Sequence, residues 1–113
     1  MTTAETHRAV VANLNEARAA IAAARSGGAV AELESPPGAA LTYGVLWFAE
    51  MNRMLVAEFS DGGFTLTLDC GDRADLAHAA LVEGIKRIRF SGQGNARHAL
   101  RDVAAQLGAE LRP

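Results

Sequence analysis

The sequence is poor in cysteine, since Cys70 is the only one in 113 residues. A lone cysteine cannot form a disulfide within the chain, and no Cys-x-x-Cys spacing exists to indicate redox chemistry or zinc binding. The sequence therefore predicts a domain that is stabilised by its apolar core and resides in a reducing compartment. A chain of this length can bury such a core without disulfides or metals.

The sequence also lacks a long apolar run. The longest stretch, around residues 45–49, ends at Glu50 and is far shorter than the ~20 apolar residues that cross a bilayer. The first residues contain neither the positive segment nor the apolar segment of a signal peptide. We therefore expect a cytoplasmic protein with no membrane partner.

Neither sign of charge dominates, because 11 lysines and arginines face 13 aspartates and glutamates, for a net charge of −2. Without an excess of positive charge the chain is poorly suited to a phosphate backbone, so we expect no nucleic-acid partner. Half of the residues are hydrophobic and 21% are charged, a composition that is typical of a globular protein. Residues 1–113 are assigned to a single domain.

Apolar periodicity predicts a first helix near the start of the sequence. Thr2 and Glu5 have capping-box spacing, and apolar residues recur at intervals of three and four between Val10 and Ala24. The glycines after Ser26 end this helix.

Three further helices and four strands follow by the same criteria. Ser35 is the expected cap of the second helix, and Asp72 is the expected cap of the third. The predicted helices are Ala39–Phe59, a short one from Asp72 to Glu83, and Ala96–Leu107. The predicted strands are Ala29–Glu34, Phe64–Cys70, Ile85–Phe90 and a short final Ala109–Arg112.

The alternation of helices and strands predicts an α/β fold with a small, mostly parallel four-stranded sheet, in the order α-β-α-β-α-β-α-β. Strands covered on both faces are continuously apolar, whereas these strands alternate, so we expect helices mainly on one face. The core should contain Leu66, Leu68, Ile88, Val103 and Leu107. The opposite, polar face should carry Glu32, Glu34, Thr65, Thr67, Arg87 and Arg89.

Loops after three predicted strands are the expected ligand site, because open parallel sheets bind ligands at the carboxyl ends of their strands. Each loop precedes a helix N-terminus, which favours a small anion. A plain loop is the competing interpretation. The candidate ligand-binding residues are Ser35, Gly38, Gly71, Asp72, Arg73, Ser91, Gly92 and Gly94.

Cys70 is the most reactive residue type at this edge. A thiol before a helix N-terminus and near Arg73 can act as a nucleophile, but adjacent aspartates disfavour the thiolate and strand alternation points Cys70 into the core. Asp69 and Asp72 are candidates for acid–base chemistry or cation binding. The simpler interpretation is that Asp72 caps a helix and Asp69 ends a strand.

No other motif indicates chemistry. His7, His78 and His98 have no metal-ligand spacing, and the sequence contains no Walker loop, nucleophile elbow or zinc signature. We therefore expect no metal and no cofactor.

The second predicted helix is apolar nearly all round, which is typical of a helix buried on several sides. Its sheet side is expected to hold Leu41, Val45, Phe48 and Leu55. Trp47, Met51 and Met54 are then left for a partner, unless the first helix covers them. The favoured hypothesis is a binding or regulatory module that forms a homodimer through these three residues. The alternative is a small enzyme that uses Cys70, or Asp69 and Asp72.

Overall fold

The computed structural model describes residues 6–113, in which five strands alternate with helices. The strands are β1 (Thr6–Val10), β2 (Val30–Glu34), β3 (Phe64–Asp69), β4 (Arg87–Arg89) and β5 (Glu110–Arg112). The helices are α1 (Leu14–Ser26), α2 (Ala39–Thr42), α3 (Val45–Glu58), α4 (Ala74–Val82) and α5 (Gly94–Gln106).

The sheet has the order β1-β2-β3-β4-β5, and every neighbouring pair is parallel. Because each crossover steps to the next strand with the same right-handed turn, all the helices lie on one face. The helices accordingly contact one another in sequence, α1 with α3, α3 with α4 and α4 with α5. The predicted α/β class, parallel sheet and one-sided helical layer are confirmed, but the sheet has five strands and not four.

The additional strand is β1, which occupies part of the predicted first helix. Residues Thr6–Val10 pair with β2, and the helix begins only at Leu14. Asn13 caps that helix by accepting a hydrogen bond from the Glu16 N–H at 2.9 Å. The helical interpretation of Thr6–Val10 was wrong because four of these five residues are exposed and the segment shows no apolar alternation that would identify a strand. Thr2 and Glu5 lie outside the described residues.

The predicted helix Ala39–Phe59 is two helices. The helix is interrupted at Gly44, whose φ of 95° is readily adopted only by glycine. The residue before α2 is Gly38, so Ser35 does not act as the expected helix cap. Leu41 lies on the short α2 and is 64% exposed, which corrects its assignment to the core.

The third helix also starts differently from the prediction. Its N-cap position is held by Arg73, with no side-chain capping bond, so the capping role expected for Asp72 was wrong. Asp75 in the first turn places a negative charge where the helix dipole favours one.

The core lies between the sheet and the helices. Leu66, Leu68 and Ile88 are buried as predicted, whereas Val103 is half-buried. Leu107 is 41% exposed because it comes after the last turn of α5 and so does not lie on the inner face of that helix. Its predicted burial was wrong. The largest fully buried side chains are Phe48, Phe90, Ile21, Leu33, Leu55, Leu68, Ile85, Ile88 and Val11.

Replacing Leu68 by alanine should lower the free energy of unfolding by about 2–5 kcal/mol, because the cavity would form in the middle of the central strand. Urea denaturation monitored by circular dichroism measures this change. Leu107→Ala is the control and should cost about 0.5 kcal/mol or less. Equal losses for the two variants would contradict this placement of the core.

Candidate functional site

The carboxyl edge of the sheet is held together by Ser35, which is 6% exposed. Its Oγ accepts a hydrogen bond from the Asp69 N–H at 2.9 Å and donates to the Pro36 carbonyl at 3.2 Å. Its own N–H donates to the Thr67 carbonyl. The hydroxyl therefore links the loop after β2 to the end of β3.

The Asp69 carboxylate connects the same loops. One oxygen accepts from the Gly38 N–H at 2.7 Å, and the other accepts from the Gly71 N–H at 3.2 Å. The Gly71 carbonyl in turn accepts from the Ser91 N–H at 2.8 Å. The structure thus brings Ser35, Gly38, Gly71 and Ser91 to one edge, with Asp69 as the brace between them.

The remaining predicted ligand residues have structural partners or are simply exposed. Arg73 forms two hydrogen bonds to the Asp75 carboxylate, at 3.0 and 2.8 Å. Gly92 packs so closely on the Phe90 ring that a Cβ atom would collide with it. Gly94 opens α5, and Asp72 is exposed. Anion binding at this edge stays a prediction.

Cys70 is buried beside these loops and is only 2% exposed. Burial raises the pKa of its thiol to about 12, and the charges of Asp69 and Asp75 act in the same direction. Because the thiolate is the nucleophile, this environment opposes the enzymatic role considered for Cys70.

No cluster of three or more metal-ligating side chains lies within residues 6–113. His7, His78 and His98 are all exposed. Over the same residues, none of the helices is long and apolar enough to cross a membrane.

The sheet face opposite the helices, here called the open face, carries a network of ion pairs. Glu34 Oε1 lies 2.8 Å from Arg8 Nη2 and 3.3 Å from Arg89 Nη2. At the β5 edge of the same face, Glu110 pairs with Arg87 at 3.5 Å and with Arg112 at 3.2 Å. The predicted polar face is confirmed. Sequence reasoning missed Arg8 because its strand was not recognised.

The helical layer contains an apolar groove of about 340 Å³ between the start of α1 and the outer side of α3. Trp47 is 50% exposed, and its Nε1 donates a hydrogen bond to the Ala12 carbonyl at 3.0 Å. Met54 is 44% exposed, whereas Met51 is 5% exposed and forms the floor. The groove is lined by Asn13, Leu14, Asn15, Trp47, Glu50, Met51 and Met54.

The groove corrects one expectation and supports another. Met51 does not lie on the outer surface, since it is 5% exposed at the floor of the groove, where α1 contacts α3. The first helix does not cover Trp47 and Met54, which remain half-exposed.

Comparison with known proteins assigns this chain to no family, so its class is described from the fold and the surfaces above. No protein-family model matches the chain, and no curated protein matches it. The class that the geometry defines is a one-sided parallel α/β domain with an apolar groove on its helices and a charged open face.

Native Cys70 should react slowly with a thiol probe at neutral pH, because the thiol is buried and its pKa is raised to about 12. The reaction should become fast and stoichiometric in denaturant, which serves as the internal control. Rapid labelling of the folded protein would instead revive the enzymatic hypothesis.

Glu34 should make the free energy of unfolding dependent on pH in the acidic range. The hydrogen bond from Arg8 holds the pKa of Glu34 below its ordinary 4.5, and the charge of Arg89 lowers it further. The unfolded chain then binds the proton more readily than the folded chain. The stabilisation is therefore present above pH 4.5 and is lost as the pH falls through the lower, folded pKa.

Glu34→Gln should consequently be less stable than the parent protein at neutral pH, and the difference should shrink in acid. Thermal melting between pH 3 and 7 measures it. The control is Glu58→Gln, which removes a half-exposed ion pair of smaller expected value. A gap for Glu34→Gln that is independent of pH would contradict this assignment.

Proposed function

We propose that this domain is a non-enzymatic binding module that self-associates through the groove between α1 and α3. The observation that carries the proposal is the pair of large apolar side chains, Trp47 and Met54, left half-exposed beside a concave surface. Exposed contiguous apolar surface of this kind is typical of protein interfaces, in which tryptophan and methionine are enriched.

The groove is suited to binding because its main side chain is already fixed. The hydrogen bond from the Trp47 Nε1 to the Ala12 carbonyl orients the indole before any partner arrives. Binding therefore costs less conformational entropy than it would with a freely rotating side chain. Asn13, Asn15 and Glu50 supply polar groups around the apolar floor, as interface rims commonly do.

A second copy is the proposed occupant. In a two-fold dimer the same groove is buried on both chains, so each Trp47 would gain an apolar neighbour. The two chains would share the burial of Leu14 and Met54, which the monomer leaves on the edge of the groove.

The polar groups of the carboxyl edge favour binding over catalysis. Both carboxylate oxygens of Asp69 accept hydrogen bonds from backbone N–H groups of two loops. Cys70 is buried with a raised pKa. Asp69 thus serves to hold loops together, and Cys70 fills the core.

Trp47→Glu should remove the groove contact and shift the protein towards smaller assemblies, because the interface would bury a carboxylate without a partner. Sedimentation equilibrium at micromolar concentration should give a lower mass for the variant than for the parent chain, in which the groove contact joins two chains of 11.8 kDa. Val82→Glu is the matched control, since Val82 is 63% exposed on α4 and should leave the mass unchanged. A parent chain of monomeric mass would refute self-association.

A milder variant separates the apolar contact from the orientation of the indole. Trp47→Phe keeps an aromatic ring but removes the donor to the Ala12 carbonyl. It should dimerise more weakly than the parent and more strongly than Trp47→Glu. If Trp47→Phe and Trp47→Glu behave alike, the apolar surface of this side chain does not drive association.

A further inference from the structure

The open face is an unusual feature for a sheet of parallel strands. Fully parallel sheets are normally covered on both faces, whereas here every helix of the described residues packs on one. Thr67, in the middle of the open face, is nevertheless only 4% exposed, because it lies in register between Glu34 and Arg87. The face is therefore a layer of contiguous side chains with a threonine column at its centre.

The charges on the two strands that flank β3 have opposite signs. β2 contributes Glu32 and Glu34, on one side of the central strand, and β4 contributes Arg87 and Arg89 on the other. Between them, β3 contributes the neutral Thr65 and Thr67, and at its end Asp69, whose carboxylate accepts hydrogen bonds from the Gly38 and Gly71 N–H groups. The outer strands add Arg8 on β1, and Glu110 and Arg112 on β5.

The charges of β2 and β4 are complementary to each other under one particular symmetry, which also sets Arg8 of one chain over the strand with Glu110 and Arg112 of the other. A two-fold axis parallel to the strands and running along β3 places the acidic β2 of one chain over the basic β4 of the other, on both sides of the axis. The threonine columns then meet at the centre. A two-fold axis across the strands would instead set β2 against β2 and β4 against β4, with like charges opposed.

We infer that the open face is a second contact surface between copies of this chain, in which two sheets stack face to face about an axis along β3. The strands of the two sheets would remain parallel, in keeping with the aligned packing of stacked sheets at a separation of about 10 Å. The helices would form the two outer layers. This contact is independent of the proposed groove, which lies on the opposite side of the sheet.

The ion pairs within each chain hold the charged side chains flat against the sheet. Arg8 and Arg89 both contact Glu34, and Arg87 contacts Glu110, so the long side chains lie along the sheet. Each charge brings a partner of opposite sign into the interface, which reduces the desolvation cost of burying it. Water-filled gaps between such side chains are compatible with a specific interface.

The experiment uses a charge exchange between β2 and β4. Glu32→Arg and Arg87→Glu each remove only one long intrachain ion pair, at 3.6 and 3.5 Å. Each variant by itself should associate at least roughly tenfold more weakly, because like charges then meet across the axis. An equimolar mixture should regain the affinity, since the new arginine on β2 lies only two residues, about 7 Å along the strand, from the level of the new glutamate on β4, within reach of its long side chain.

All measurements are made in the Trp47→Glu background and repeated in the parent chain, so that the groove contact and the sheet contact are scored separately. Asp102→Arg and Arg101→Glu, both exposed on α5, are the matched charge controls and should not change the mass. Circular dichroism checks that each variant is folded. In about 1 M NaCl, where the Debye length is about 3 Å, the sheet contact should weaken while the apolar groove contact should not.

Weakening by each single variant with recovery in the mixture supports the sheet contact, whether or not Trp47→Glu has any effect. Two outcomes overturn it. In one, the Trp47→Glu chain is monomeric at every concentration measured, which leaves the groove contact standing. In the other, that chain forms a dimer to which the charge variants and their mixture make no difference.

Discussion

The constant direction of the β–α–β steps is the constraint on which the rest of this structure depends. Each strand adds to the same edge of the growing sheet, from β1 to β5, and each crossover has the same hand. All the helices are consequently placed on one face. The sheet must then satisfy two environments, with an apolar row toward the helices and a polar row away from them.

That division explains why the charged residues occupy the strands. Leu33 and Leu66 lie side by side on the helical face, while Glu32 and Thr65 lie side by side on the open one. The side-chain period of a strand is two, so the same pairing that buries the leucines exposes the charges. The core and the open face are two consequences of one register.

The loops at the carboxyl edge show a different use of polar residues. In open α/β sheets this edge is the usual place for ligands, because several loops and helix N-termini meet there. Here Asp69 and Ser35 occupy the edge with hydrogen bonds between the loops. The two proposed contact surfaces are the groove between the helices and the open face of the sheet.

Much of the fold could be predicted from the sequence because its signals are local. The alternation from Phe64 to Cys70 identified the central strand, and the glycine after Ser26 identified the end of a helix. The same reasoning failed for Thr6–Val10, since four of its five residues are exposed and no apolar alternation marks the strand. It also failed at Gly44, where backbone geometry interrupts an apolar run that continues on both sides.

The sequence by itself determined the class of the fold, the parallel sheet and the identity of its polar face, because these depend on periodicity within short segments. Only the tertiary structure decided that Met51 is covered while Trp47 is not, since this depends on where α1 crosses α3. Only the tertiary structure, likewise, joined Asp69 to Gly38 and Arg8 to Glu34. These residues are distant in sequence, and no local pattern specifies which loop or strand each one meets.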